Sequence, residues 1–83
     1  MPIRVKVLYF GQARDAAGTG EEHLSLPRPS TLGALVSEST KAHQGLKGIS
    51  DSMRIAVNEE IAAEDRLLED GDVVALLPPV AGG

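Results

Sequence analysis

The first ten residues alternate in the way that is typical of a β-strand with one buried face. Between Ile3 and Phe10, one set of alternate positions is entirely apolar, whereas the other begins with Arg4 and Lys6 and ends with Leu8 and Phe10. Successive side chains of a strand point to opposite faces, so the first set forms a core face. The opposite face is predicted to be basic where the strand starts and apolar where it ends.

The next elements are predicted from turn residues and from a change in hydrophobic period. Residues 11–18 indicate a short helix closed by a glycine, and residues 22–26 indicate a second strand that pairs with the first. Ser30 or Thr31 caps a longer helix, whose apolar residues recur at intervals of three and four. Two glycines are expected to end that helix: Gly45 and Gly48.

The last third of the chain is predicted to hold two or three further strands. Residues 53–57 form a strand, residues 58–59 a turn, and Ile61 a short continuation. Residues 73–77 form the last strand, because the double proline at 78–79 prevents further ladder pairing. The fold class is therefore α+β, with one main helix packed on one face of a mixed sheet, which is the β-grasp arrangement.

Length and composition limit the class of protein. With 83 residues there is room for one domain, which we place at residues 1–77, followed by a flexible tail at residues 78–83. Two aromatic residues are too few to stack nucleic-acid bases, and a net charge of −4 disfavours nucleic acid and anionic membranes. That charge favours a partner with a basic surface. The chain contains no membrane-spanning run and no signal peptide, so a cytoplasmic protein is expected.

Side chains suited to catalysis or metal binding are scarce. The sequence has no cysteine, which excludes disulfides, thiolate metal sites and a cysteine nucleophile. His23 and His43 lie on different predicted elements and are expected to be ordinary surface or boundary residues. The acidic residues between Glu59 and Asp72 lack the spacing of a calcium loop and are predicted to form a solvated face. No metal site is predicted.

The C-terminal tail is the strongest functional signal. It reads Pro-Pro-Val-Ala-Gly-Gly, and its prolines favour an extended exit from the sheet. Gly82 and Gly83 have no side chains, so the end of the chain could thread a narrow channel and present its carboxylate to a buried active site. A carboxylate needs activation before it reacts, most simply as an acyl adenylate. The alternative interpretation is a frayed end that carries two glycines by chance.

A second signal is apolar surface near the root of this tail. The last strand must expose either Val74 and Leu76 or the alternate set, which includes Leu77. Phe10 shares the outer face of the first strand, and Ile61 follows a polar turn. Phe10, Ile61 and Leu77 together predict a docking patch, although each could instead complete a small core.

Four segments resemble the family of molybdopterin synthase small subunits. They are VKVLYFGQARDAAGTG, STLGALV, RIAVNEEIA and LEDGDVVALLPPVAGG, and the resemblance covers essentially the whole chain, with residues 39–52 the least distinctive. The resemblance implies a ubiquitin-like β-grasp fold and a sulfur carrier. In that family an enzyme similar to ubiquitin-activating enzymes uses ATP to adenylate the terminal glycine, which becomes a thiocarboxylate. The large, catalytic subunit then receives the tail and transfers its sulfur to cyclic pyranopterin monophosphate.

The resemblance also implies roles for particular residues. Gly83 would carry the sulfur and Gly82 would provide clearance, while a channel in the large subunit would hold Pro78, Pro79, Val80 and Ala81. Phe10, Ile61 and Leu77 match the family's docking positions, and Arg14 matches a basic residue near the interface. The sequence departs from the family at Leu76-Leu77, where relatives often have two aromatic residues. The implied partners are the large subunit, in a heterotetramer, the activating enzyme and a sulfurtransferase or other sulfur donor.

Other functions remain compatible with the sequence. Carriers of the same fold deliver sulfur to cysteine or transfer-RNA thiolation, and their tails are similar. A ubiquitin-like protein modifier would use the same activation to join Gly83 to lysines. A plain interaction domain would have an inert tail.

Overall fold

The structure is a computed structural model that describes residues 1–49 and 52–78. Among these residues there are five strands, two α-helices and one 3₁₀-helix. In chain order they are β1 (Ile3–Tyr9), α1 (Gly11–Ala17), β2 (Glu21–Leu26), α2 (Leu32–Ala42), the 3₁₀-helix (Gln44–Leu46), β3 (Arg54–Val57), β4 (Glu60–Ile61) and β5 (Val73–Leu77). The element order predicted from the sequence is confirmed.

The strands form one mixed sheet in the order β2-β1-β5-β3-β4. The two central strands, β1 and β5, are parallel, and every other neighbouring pair is antiparallel. Because β1 and β5 run in the same direction, both strands end at the same end of the sheet, where Tyr9 and Leu76 are register partners. The chain leaves the sheet at that end.

The core lies between this sheet and α2. Leu32 and Leu35 of α2 are fully buried, as are the inward-facing residues of the two central strands: Ile3, Val5, Val7, Tyr9, Val74 and Leu76. We call the opposite side of the sheet the outer face. The alternation predicted for the first strand is confirmed, since its outer positions are at least partly exposed.

Helix α2 begins as predicted but ends earlier than predicted. The Thr31 hydroxyl accepts a hydrogen bond from the Ala34 backbone N–H at 3.2 Å, which satisfies one of the free donors of the first turn. The helix ends at Ala42, because His43 leaves helical geometry and its Nε2 lies 2.7 Å from Oε1 of Glu22. The prediction that Gly45 and Gly48 end α2 is therefore wrong. A Cβ at Gly45 would lie 3.0 Å from the Ala16 carbonyl oxygen, so this glycine allows close packing on α1.

The turn after β3 is fixed by a small network of hydrogen bonds. Asn58 and Glu59 both have positive φ, of 51° and 72°, which matches the predicted turn. The Asn58 amide donates to Asp72 at 3.0 Å, and its carbonyl accepts from the Val73 N–H at 3.0 Å. Asp72 also accepts from the Glu69 N–H at 2.8 Å. These bonds join the β3–β4 turn to the start of β5.

Within residues 1–49 and 52–78, no helix has both the length and the apolar character that a membrane crossing requires.

Candidate docking face and tail root

An apolar row crosses four strands of the outer face. Leu8 of β1 is the register partner of Ala75 of β5, Ala75 is the partner of Ala56, and Ala56 is the partner of Ile61 at the edge. Partners in neighbouring strands place their side chains on the same side of a sheet. The four side chains therefore form a continuous band on the outer face, in which Ala56 is buried and Ile61 is exposed.

The predicted docking patch lies on or next to this row. Phe10 is 46% exposed and Ile61 is 63% exposed, values that are high for large apolar side chains. Val74 and Leu76 point inward, so the alternate set, which includes Leu77, faces outward and is partly exposed. This answers the question of which side of the last strand is available to a partner.

The structure brings two members of the patch together at one end of the sheet. The Phe10 N–H donates to the Leu76 carbonyl at 3.3 Å, so Phe10 lies beside the last residues of β5. Ile61 lies at the β4 edge and is connected to them through the apolar row. The patch is therefore extended across the sheet, with Phe10 and Leu77 near the point where the chain leaves it.

A shallow apolar depression lies beside Phe10. Its volume is about 410 Å³, and it is lined by Leu8, Phe10, Val73 and Ala75, with Asn58 and Glu59 completing the lining. A depression of this size can accept a large apolar side chain of a partner, which is how interface anchors are commonly held. The contribution of the Asn58–Glu59 turn was not predicted. It depends on the hydrogen bonds that join this turn to β5.

The root of the tail, which we define as Leu77 and Pro78, packs against the start of α1. Gly11 has a φ of 52°, and a Cβ at this position would lie only 2.8 Å from Cγ of Pro78. Glycine at position 11 therefore solves two problems, because it adopts the left-handed conformation and leaves room for the proline ring. The remaining tail residues predicted to be functional lie outside the described residues: Pro79, Val80, Ala81, Gly82 and Gly83.

Arg14 lies on the other side of β1 from the tail root. It is exposed on α1, and a methyl group added at Gly20 would lie 3.6 Å from its Nε. The Gly20 carbonyl accepts from the Tyr9 N–H at 2.9 Å, which places this glycine on the β2 side of β1. Arg14 therefore lies on the β2 side of β1, whereas Leu77 lies on the β5 side, and its place near the interface stays a prediction from the resemblance.

A cluster of polar side chains holds the inner side of the same end of β1. The Tyr9 hydroxyl donates to Glu22 and also lies 3.3 Å from the Ser39 hydroxyl, while His43 binds Glu22 and packs edge-on against the Tyr9 ring. Burial, reinforced by the hydrogen bond to Glu22, raises the pKa of the Tyr9 phenol far above its ordinary value. Tyr9 is therefore a neutral donor that ties β1 to β2 and α2.

Arg54 is an outer-face residue that the sequence did not single out. Its register partner is Leu77, so an exposed guanidinium-bearing side chain starts β3 beside the tail root. Across residues 1–49 and 52–78, no group of three or more His, Asp or Glu side chains is placed to hold a metal ion. The arrangement of the described residues is that of a docking face with a chain exit at its edge.

The chain matches a known protein family over most of its length. Residues 7–83 match the model of the ThiS family. The chain belongs to the ThiS family. A relative named molybdopterin synthase sulfur carrier subunit, from Mycobacterium tuberculosis, is 38% identical over 82 residues that cover 98% of this chain and 99% of the relative.

Two solved structures show the fold of this ThiS-family chain. One is the complex of subunits 1 and 2 of the molybdopterin-converting factor from Helicobacter pylori, with a TM-score of 0.71 and 29% identity over 98% of this chain and all of the matched chain. The other is a ubiquitin from Caldiarchaeum subterraneum, with a TM-score of 0.67 and 18% identity over the full length of both chains. The predicted ubiquitin-like β-grasp fold is confirmed.

Proposed function

We propose that this chain is the sulfur carrier subunit of a molybdopterin synthase and acts in molybdenum cofactor biosynthesis. The observation that carries the proposal is the position of the tail root at the edge of an exposed apolar face. Full-length relatives that bear this name support it. The terminal Gly-Gly sequence fits the same role, because glycine offers the least steric resistance at an acyl carbon.

The chemistry of the carrier takes place at the terminal carboxylate of Gly83. An activating enzyme similar to ubiquitin-activating enzymes joins this carboxylate to AMP, and ATP loses pyrophosphate in the step. A sulfur donor then displaces AMP. Sulfide gives the thiocarboxylate directly, whereas the persulfide of a sulfurtransferase gives an acyl disulfide that a thiol reduces to the thiocarboxylate. In the large subunit the thiocarboxylate sulfur attacks a carbon of cyclic pyranopterin monophosphate and displaces an oxygen substituent, so a carbon–sulfur bond forms as a carbon–oxygen bond breaks. Water cleaves the bond between the acyl carbon and sulfur, so Gly83 returns to a carboxylate.

Docking and tail insertion have separate physical requirements. Phe10, Ile61 and Leu77 supply apolar area for docking, and Gly11 allows Pro78 to leave the sheet. Six extended residues span at most about 20 Å, so the active site of the large subunit must lie within that distance of the docked sheet. The catalytic side chains belong to the large subunit, and Gly82 leaves room for them beside the acyl carbon.

The remaining parts of the proposal concern assembly and location. The partner set consists of the large subunit, in a heterotetramer of two small and two large subunits, the activating enzyme and the sulfur donor. The structure of the Helicobacter pylori complex supports pairing with a second subunit. We place the protein in the cytoplasm, with no permanently bound cofactor and no nucleic-acid or membrane partner.

The alternatives considered from the sequence are less well supported. They are a sulfur carrier for cysteine or transfer-RNA thiolation, a protein modifier and an inert interaction domain. Full-length relatives that are 34%, 38% and 31% identical are named molybdopterin synthase sulfur carrier subunits, and they do not favour these alternatives.

A reconstituted transfer assay tests the proposal. The thiocarboxylated chain is mixed with the large subunit and cyclic pyranopterin monophosphate, and the dithiolene product is measured. We expect product in proportion to the thiocarboxylate consumed, and none from a chain that lacks Gly82 and Gly83. Consumption of the thiocarboxylate without dithiolene, or activity of the truncated chain, would contradict the proposal.

A further inference from the structure

The tail root has a cationic neighbour on the outer face. Arg54 is the first residue of β3, and its register partner is Leu77, the last residue of β5. Arg54 is exposed, and Ala56, two residues further along β3, belongs to the apolar row. Side chains two residues apart share a face, so Arg54 borders the row on the side where the chain leaves the sheet.

The outer face carries charges of both signs. The chain carries a net charge of −4. By register, the strands direct the cations Arg4, Lys6 and Arg54 and the carboxylate of Glu21 to this face. The loops add two carboxylates: Glu59 lines the apolar depression, and Asp70 lies beside Arg4 and Lys6. The charge around the apolar row is therefore mixed, so each cation has to be considered by its own position.

The three cations are not equivalent. Lys6 Nζ lies 3.4 Å from the Glu21 carboxylate, so its charge is partly compensated within the chain. The ion pairs among the described residues join Lys6 to Glu21, Lys41 to Glu38 and His43 to Glu22, and do not include Arg54. Arg54 is thus the cation of this face that is both beside the tail root and outside those pairs.

Spacing along β5 places Arg54 at the rim of the apolar face. Lys6 is the partner of Val73 and Arg54 the partner of Leu77, so the two cations are four residues apart along β5, or about 13 Å at the usual strand rise. The apolar row at Ala75 lies midway between them. A surface that covers the row would therefore have an apolar centre and would meet Arg54 at its edge, where charged contacts govern association rate and register.

We propose, on the basis of the function proposed above, that Arg54 is a specificity contact for the large subunit, which presents a carboxylate to it beside the opening that receives the tail. A guanidinium binds a carboxylate through two parallel hydrogen bonds and so fixes orientation as well as distance. Because Arg54 and Leu77 are register partners, a contact at Arg54 sets where the tail root lies relative to the opening. Docking through apolar contacts alone would leave that position less defined.

The test compares charge changes at two positions. Arg54→Glu reverses the charge at the tail root, and Arg54→Gln removes it. Lys47→Glu is the control: Lys47 is an exposed residue that follows the 3₁₀-helix, and this substitution changes the net charge as much as Arg54→Glu does. Arg54→Lys keeps the charge but loses the paired geometry. Unfolding curves establish that each variant is folded, and association with the large subunit is measured at low and high salt.

We expect Arg54→Glu to slow association about tenfold at low salt and Arg54→Gln about threefold, with Lys47→Glu within about twofold of the original chain. High salt, at about 1 M, reduces the Debye length to roughly 3 Å and should bring the rates together. Equal rates for the Arg54 and Lys47 variants at low salt would overturn the specificity contact. Failure of the unaltered chain to bind the large subunit would instead overturn the proposed function, so the two failures are distinguishable.

Discussion

Replacing Gly11 with alanine tests whether the start of α1 controls the exit of the tail. The substitution adds a methyl group whose carbon would lie 2.8 Å from Cγ of Pro78, far inside an ordinary carbon–carbon contact of about 3.5–4.0 Å. It also places alanine at a φ of 52°. The added methyl group opposes the observed position of the proline ring, and the positive φ opposes the backbone conformation of residue 11.

The two costs can be separated with a matched glycine. Gly18 has a φ of 76°, and an added Cβ there would meet nothing within 4 Å, so Gly18→Ala carries the conformational cost alone. That cost is about 1–2 kcal/mol. Crowding of Pro78 adds about 1–3 kcal/mol, so Gly11→Ala should destabilise the fold by about 2–5 kcal/mol in total. The difference between the two variants measures the contact with Pro78.

A double-mutant cycle with Pro78→Ala identifies the source of that difference. Removing the ring eliminates Cγ, so Gly11→Ala in the Pro78→Ala background should cost no more than Gly18→Ala. Urea unfolding gives the free energies, and affinity for the large subunit shows whether the displaced tail root impairs docking. Equal destabilisation by Gly11→Ala and Gly18→Ala, with no coupling to Pro78, would refute the reasoning.

Three further predictions concern the exposed docking patch, the room that Gly82 leaves beside the acyl carbon, and the buried phenol of Tyr9. Phe10→Ala and Ile61→Ser should each weaken binding to the large subunit about fivefold or more, because these side chains are 46% and 63% exposed on the outer face. Leu67→Ser is the control, since Leu67 is 60% exposed but lies outside the patch, and calorimetry should show little change in its affinity. Equal losses of affinity for all three variants would contradict the docking patch. Gly82→Ala should leave the unfolding curve unchanged but slow sulfur transfer, and a normal rate would argue against a narrow channel. Because the pKa of Tyr9 is raised, the neutral phenol contributes fully to stability below its ordinary pKa of 10.0, and this contribution is lost as the pH rises above that value. Tyr9→Phe should therefore flatten the fall in unfolding free energy above about pH 10. An unchanged pH profile would show that ionisation of Tyr9 does not cause the fall.

Local signals were sufficient to predict most elements of the fold. The alternation in β1 is visible in the sequence, the Thr31 cap follows from residue type, and the Asn58–Glu59 turn lies between two apolar segments. Each feature depends on residues within a few positions of one another. The side of β5 on which Leu77 lies could not be predicted in this way. The alternation along β5 leaves two possible outer sets, and the choice depends on which side of the strand faces α2.

Features that depend on distant pairing could not be predicted. The contact between Gly11 and Pro78 joins residues at opposite ends of the chain, and the place of Arg54 beside Leu77 depends on the antiparallel register of β3 and β5. The early end of α2 has the same origin, because His43 binds Glu22 on a different element. A single sequence contains no signal for such pairings.

The central claim is that Gly83 carries sulfur, and the mass of the intact protein tests it most directly. The protein is purified from its native cells under conditions that preserve labile acyl groups, and the position of any modification is located by fragmentation. We expect a fraction whose mass gain matches the exchange of one oxygen for one sulfur at Gly83, and we expect this fraction to disappear when the large subunit and the pterin precursor are added. A bare carboxylate in every preparation, including cells that lack the large subunit and so cannot discharge the carrier, would contradict the account.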